Sequence, residues 1–326
     1  MANSNSDRPS EFALIAKLFA PLAEQAPGAF GLLDDAAMLS PPPGHELVVT
    51  TDALVESVHF LPGDPPEQVA KKALRVNLSD LAAKGTEPAG YLLALMLPAT
   101  TGMAWLRQFA HGLGEDQEKF GLSLLGGDTT GTPGPLSIAI TALGFVPVGK
   151  MIRRAGAAVG DGVFVSGTVG DAGAGLAMLK GEAARDDSLI ARYRLPEPRL
   201  TLGKALRGIA SAGLDVSDGL LADLGHIAEV SKVRIAVTAS AVPRSAALKA
   251  LWGDDAESVV RAATAGDDYE LAFTVPAERK AAVLLAAKAA GVTVSEIGRV
   301  EAGSGVVLLD QRGQEIPVSR RGFTHF

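Results

Sequence analysis

The chain has 326 residues, 47% of them apolar, and carries a formal charge of -7. Its length exceeds what one hydrophobic core usually serves, so two domains are expected, and its acidic balance argues against a general nucleic-acid binder. Cysteine is absent, which excludes a disulfide framework, a thiolate metal site and a cysteine nucleophile.

The opening MANSNSDRPS is polar and reads as a loose end, and it lacks the charged-then-apolar order of a secretory peptide. No run of about 18 apolar residues follows. A soluble cytoplasmic protein with no membrane partner is therefore expected.

A helical pattern runs from Ser10 through Phe12, Ile15, Phe19 and Leu22, and PPPG at 41–44 breaks the chain before a strand, ELVV. Thr50, Thr51 and Asp52 read as the end of that strand, where open sheets present ligand-binding side chains; a polar loop start is the plainer reading. Pro65, Pro66 and Glu67 signal a helix that continues to Gly85. YLLALMLP then reads as a buried strand, MAWLRQFAHGLGEDQEKF as a helix, and LSLLGG and LSIAITALGFVP as strands. The basic, Gly-rich RRAGAAVGDG marks a boundary near Lys150, which gives domains at 1–150 and 151–326. Beyond it come a strand at VFVSG, a helix at GAGLAMLK, the loop RLPEPR, the strand GLDVSDG before a long helix, and strands near RIAVTA and ELAFTVP. Elements alternating in this way make an α/β or α+β layered fold.

Aspartates carry most of the chemical information: Asp34 and Asp35, Asp52, Asp80, Asp128, Asp215 and Asp218, and Asp267 with Asp268. Asp218, ahead of GLLADLGHI, also suits a helix N-cap. Asp80 is harder to explain locally, because Val69, Ala73, Val76 and Asp80 share one helix face, and a carboxylate on that apolar stripe needs a cation, hydrogen bonds or a metal. In GGDTT, at 126–130, two glycines let backbone amides approach a phosphate and Asp128 can hold the Mg²⁺ that accompanies it, although Gly-Gly-Asp is also an ordinary turn. GxxxxGK[ST] is absent, so a P-loop is excluded. Hard carboxylates without softer ligands select Mg²⁺ and point to phosphate chemistry.

VFVSGTVGDAGAGLAML offers a rival, a dinucleotide turn, but its glycines at 167, 170, 173 and 175 do not fit G-x-G-x-x-G, and close helix packing accounts for them equally well. By itself His59 reads as a loop residue and Arg153 with Arg154 as a solvated pair. Phe323, in the terminal GFTHF, is either a packing plug or a ring for stacking.

Taken in order, TTDALVESVHF, KALRVNLSDLAAKG, GGDTT, RRAGA, LDVSDGLLADLGHI, GDDYEL and GFTHF resemble the thiamine-monophosphate kinases, a family of the aminoimidazole ribonucleotide synthetase-like superfamily. The resemblance covers nearly the whole chain. It implies transfer of the γ-phosphate of ATP to thiamine monophosphate, two α/β domains, and a homodimer formed through the N-terminal sheets. It implies several Mg²⁺ ions held by Asp35, Thr50, Thr51, Asp52, Asp80, Asp128, Asp215 and Asp218. Gly127, Asp128, Arg154 and Ser217 would contact ATP, and His59, Asp267 and Phe323 the thiamine portion; no side chain is expected to act as general base.

The sequence also departs from the family pattern. Leu33 replaces a glycine in the first acidic motif, which leaves the ligand there as Asp34 or Asp35; Ser57 stands at another glycine position; and Asp267 replaces a longer glutamate. An aromatic residue for the adenine is not evident around His111. The competing readings are another enzyme of the superfamily such as aminoimidazole ribonucleotide synthetase, a nicotinamide-dependent oxidoreductase using the turn at 167–175, and a non-catalytic metal binder.

Overall fold

A computed structural model describes residues 9–324 of the chain; most of the polar start and the last two residues of GFTHF lie outside the described residues. The structure divides into two compact units, one of Met1–Leu81 and Glu87–Val148, the other of Ala82–Thr86 and Gly149–Phe326.

The first unit opens with the short helix α1 (Glu11–Leu14), which runs on through irregular helical turns to Ala23 and buries Leu14, Phe19 and Ala23. There follow β1 (His45–Val55), α2 (Pro66–Ala83), β2 (Glu87–Pro98), α3 (Met103–Phe120), β3 (Ser123–Thr132) and β4 (Ser137–Pro147). The strands form one sheet in the order β1-β4-β2-β3, antiparallel except for β2 and β3. Strict alternation in β4 buries Ile138, Ile140 and Ala142 on one face and leaves Ala139, Thr141 and Leu143 half-buried on the other. α2 is buried almost throughout, with Leu74, Leu78 and Leu81 fully enclosed. Each such leucine contributes about 1.5–3 kcal/mol.

Two strands extend past their expected ends. β1 continues to Val55, so Thr50, Thr51 and Asp52 sit within the strand rather than at its end. Likewise β3 runs through GGDTT, which pairs with β2 instead of forming a loop after the strand. The reason is the same in both cases: β1 and β3 are the sheet's two edges, where polar and glycine residues keep their backbone pairing on one side without having to enter the core.

The second unit contains β5 (Gly162–Ser166), α4 (Asp171–Leu179), α5 (Asp187–Arg194), α6 (Leu200–Ala205), β6 (Ala212–Asp215), α7 (Leu220–Ser231), β7 (Arg234–Thr238), α8 (Ala246–Trp252), α9 (Ala256–Ala263), β8 (Leu271–Val275), α10 (Lys280–Ala290), β9 (Val294–Glu301) and β10 (Gly305–Leu309). Its sheet has the order β10-β7-β9-β5-β8-β6 and is mostly antiparallel, with only β10 and β7 parallel. β5 and β8 are buried along their whole length, so their sequences read as continuous apolar runs.

Candidate active site

In the first unit, period-two alternation divides the TTD stretch. Thr50 and Asp52 face α2, where Thr50 Oγ1 donates to Asp80 Oδ2 at 2.5 Å and the Asp52 amide donates to Asn77 Oδ1 at 3.0 Å. Asn77 and Asp80 are three apart on the helix, matching residues two apart on the strand. Thr51 points the other way: its hydroxyl donates to the Ile140 carbonyl and accepts from Thr141 Oγ1, so the three residues do not present their side chains together.

β1 leads into a tight turn in which Ser57 has φ +68. There the Val55 amide donates to His59 Nδ1 at 3.0 Å, and the buried Lys72 ammonium donates to the His59 carbonyl at 2.9 Å. An amide is an obligate donor, so Nδ1 carries no proton in this arrangement and the neutral ring holds its proton on Nε2.

At the opposite edge of the sheet, a cavity of about 690 Å³ is lined by Asp34, Asp35, Gly127 and Asp128, with Thr141 and Leu143 from the face of β4 that carries Thr51's partner. Its apolar wall includes Ile15 and Phe19. Asp34 Oδ1 accepts the Asp35 amide at 2.8 Å, while both side chains remain exposed. Gly127 has a packing reason to be glycine, since a Cβ there would lie 1.8 Å from the Leu93 carbonyl oxygen; one on Gly126 would meet nothing closer than 3.5 Å. The candidate aspartates of this unit therefore fall into two groups, Asp52 with Asp80 and Asp34, Asp35 with Asp128. Three strand spacings, about 14 Å, separate the edge strands that carry Asp52 and Asp128.

In the second unit the expected residues converge. Asp215 ends β6, and the following Ser217-Asp218-Gly219 turn receives two other segments: the Asp267 amide donates to the Ser217 carbonyl at 2.8 Å, and the Phe323 amide to the Asp218 carbonyl at 2.9 Å. Gly322 permits the second contact, because a Cβ would stand 2.5 Å from that carbonyl oxygen. Asp267 and Tyr269 have φ of +68 and +51, and the Tyr269 hydroxyl donates to Asp267 Oδ1 at 3.3 Å. Left-handed backbone in such residues costs on the order of 1–3 kcal/mol each, so the surroundings hold the loop in place. Arg154 is exposed; the carbonyl of its neighbour Arg153 accepts the Gly213 amide, two residues before Asp215.

Asp218 is not the cap of α7. Gly219 occupies that position, and the organising carboxylate is Asp223, which accepts the amides of Ser217, Asp218 and Gly219 at 3.0, 3.1 and 3.1 Å. Burial, and secondarily the charge of Asp218, push its carboxyl up to about 7. The N-terminus of α4, where a dinucleotide phosphate would have to sit, is filled by the protein itself: fully buried Asp268 accepts the amides of Gly170 and Ala172. That removes the oxidoreductase reading.

Among the described residues no group of three or more His, Asp or Glu is arranged to hold a metal ion. All the donors are hard oxygens, and Mg²⁺ is ordinarily held by one or two carboxylates together with substrate phosphates, so the side chains present fit a metal that arrives with a nucleotide.

The chain matches the AIR synthase related protein N-terminal domain over residues 33–146 and the corresponding C-terminal domain over residues 158–311. It is 47% identical to the thiamine-monophosphate kinase of Caulobacter vibrioides, over 97% of this chain and 91% of that one. The chain belongs to the thiamine-monophosphate kinase family. It is 40% identical to the family member of Escherichia coli K12, over 97% and 98% of the two chains. The thiamine-monophosphate kinase structure from Stenotrophomonas maltophilia K279a superposes with a TM-score of 0.84 at 41% identity, covering 94% of this chain and 98% of that one. AaThiL complexed with AMPPCP and TMP superposes with a TM-score of 0.77 at 33% identity, over 93% and 98%.

Proposed function

We propose that the protein phosphorylates thiamine monophosphate to thiamine diphosphate at the expense of ATP. The observation that carries this reading is the near-full-length likeness to a family member complexed with AMPPCP and TMP. In the reaction a phosphate oxygen of thiamine monophosphate attacks the γ-phosphorus, the bond to ADP breaks, and a new P–O–P linkage forms. The attacking monoester has a second pKa of about 6 and is already largely ionised at neutral pH. No side chain is needed to take a proton from it.

Magnesium, when bound, neutralises the phosphates as they approach. Asp35, Thr50, Thr51, Asp52, Asp80, Asp128, Asp215 and Asp218 are the residues we assign to hold it, with Thr51 turned away from Thr50 and Asp52. Gly127, Asp128, Arg154 and Ser217 are assigned to ATP, and His59, Asp267 and Phe323 to the thiamine portion. His59 would donate from Nε2, and Phe323, 47% exposed, offers a ring face.

The working form is a homodimer built on the N-terminal sheet. Leu47, Val49 and Leu92 are 42%, 56% and 40% exposed on the sheet face away from α2, an apolar surface that a second copy would cover. The cytoplasm, where ATP is available, is the assigned location; no described helix is long and apolar enough to cross a membrane.

Incubation with ATP, Mg²⁺ and thiamine monophosphate should yield thiamine diphosphate and ADP in equal amounts. ADP formed without thiamine diphosphate would refute the assignment.

A further inference from the structure

Asp223 is 3% exposed and lies on the same face of α7 as Leu220, Leu224 and Ile227, all buried. One oxygen, Oδ2, takes the last three amides of the turn between β6 and α7, those of Ser217, Asp218 and Gly219. A capping side chain ordinarily reaches forward from ahead of a helix to its first amides. Here a residue within the helix reaches back and gathers the amide at the cap together with the two before it, which draws three consecutive N–H groups inward.

The carbonyls of this turn are then committed as well. The Ser217 carbonyl accepts the Asp267 amide, and the Asp218 carbonyl accepts the Phe323 amide. Two chain segments remote in sequence thus depend on a turn whose own donors converge on one carboxylate. Asp267 needs that restraint, because its backbone is held at φ +68.

We infer that Asp223 is a positioning residue: without touching substrate, it fixes the Ser217–Asp218 turn and through it places Asp267 and Phe323 as one unit. The inference rests on the assignment of Asp267 and Phe323 to the thiamine portion.

The test uses the full chain with Asp223→Leu, which removes the acceptor while keeping the same branching, and Asp223→Asn, whose amide oxygen can occupy the Oδ2 position. In Asp223→Leu the KM for thiamine monophosphate should rise at least about tenfold, with a smaller fall in kcat, and Asp223→Asn should stay within about threefold of wild type. Backbone hydrogen exchange supplies a second readout that does not depend on activity: the Asp267 and Phe323 amides should lose protection in Asp223→Leu and keep it in Asp223→Asn. Unchanged protection at both amides in Asp223→Leu would overturn the positioning role. Lost protection with an unchanged KM would instead sink the assignment of those residues to substrate, and with it this inference. If Asp223→Leu does not fold, Asp223→Ser, whose hydroxyl stops short of the three amides, carries the same expectations.

Discussion

Thr50 donates its hydroxyl to Asp80 at 2.5 Å, which ties a strand residue to the carboxylate that the helix periodicity of α2 places on its apolar face. Two residues along the strand, the Asp52 amide is taken by Asn77, which is fully buried. The edge strand β1 thus presents one hydroxyl and one backbone amide to α2, and α2 answers each with a side-chain acceptor. Asp52 and Asp80 bring the negative charge to this junction, whereas Asn77 is committed to holding the strand.

This division of labour predicts opposite phenotypes for neighbouring substitutions. Asp52→Asn and Asp80→Asn should each lower kcat by about a hundredfold or more at saturating substrates, since on the proposed assignment they remove metal-binding charge while keeping shape. Thermal melts of these two variants should stay close to wild type. Asn77→Ala should do the reverse, leaving a buried amide without its acceptor at a cost of about 1–3 kcal/mol and a lowered melting temperature. Near wild-type kcat in both Asp variants would remove the metal assignment of β1 and α2.

The two glycines of GGDTT separate packing from ligand binding. Gly127→Ala forces a Cβ against the Leu93 carbonyl oxygen, at the backbone pairing of β2 and β3, and should destabilise the first unit whether or not nucleotide is present. Gly126→Ala has room for its methyl group and should fold like wild type. Any weakening of ATP binding in Gly126→Ala, measured by calorimetric titration, then reports on space reserved for ligand. Equal melting temperatures for the two variants would contradict the packing account.

Much of the candidate site was legible in the sequence because its signals are local. The periodicity of α2 isolated Asp80, and TTD, GGDTT, LDVSDG and GDDYEL each stand out within a few residues. Strand lengths were less legible, because edge strands tolerate Thr, Gly and Asp, so β1 and β3 continue where polarity suggested loops. The short helices α5, α6, α8 and α9 went unread, as did α10, β9 and β10: KAAVLLAAKAA is apolar nearly all round, and β9 mixes Ser, Glu and Arg with its two buried residues, Ile297 and Val300. Asp223 was readable by the argument that isolated Asp80, since Leu220, Asp223, Leu224 and Ile227 share one helix face. The convergence of Asp267 and Phe323 on the Asp218 turn was not, because it depends on backbone bonds between distant segments.

Asp268 links the second unit's stability to pH. Its carboxyl is held well above the usual range, chiefly by burial and also by the charge of Asp171, against the opposing effects of Arg192 and the Gly170 and Ala172 amides. A raised native pKa means the folded chain holds a proton that the unfolded chain, with a carboxyl pKa near 3.9, has already released. The contribution is therefore present at low pH and lost as pH rises from about 4 toward the native value. Asp268→Asn mimics the protonated form without titrating. Urea unfolding at pH 5 and pH 8 should show wild type losing stability relative to Asp268→Asn as pH rises. A difference that moves in wild type's favour would reverse the assigned direction.

The hydrogen bond at His59 decides what the imidazole can do in catalysis. Nδ1 accepts the Val55 amide, and the ring's own backbone is held by a donor from buried Lys72, so both tautomer and orientation are set by the turn after β1. A general base needs an open lone pair directed at the reacting proton, but this ring has committed Nδ1 to the backbone and carries its proton on Nε2. The presumed nucleophile, a phosphate monoester, has little need of such a base at neutral pH. His59→Ala should therefore raise the KM for thiamine monophosphate while kcat falls less than about tenfold, short of the 10²–10⁴ typical of a lost general base. His59→Gln, which keeps a terminal N–H donor, should recover part of the lost affinity, whereas His59→Leu should not. A kcat loss of about a thousandfold in His59→Ala, with the acidic limb near pH 6 to 7 disappearing from the kcat profile, would show that the imidazole carries a proton during turnover and that the Val55 bond does not hold in the working complex.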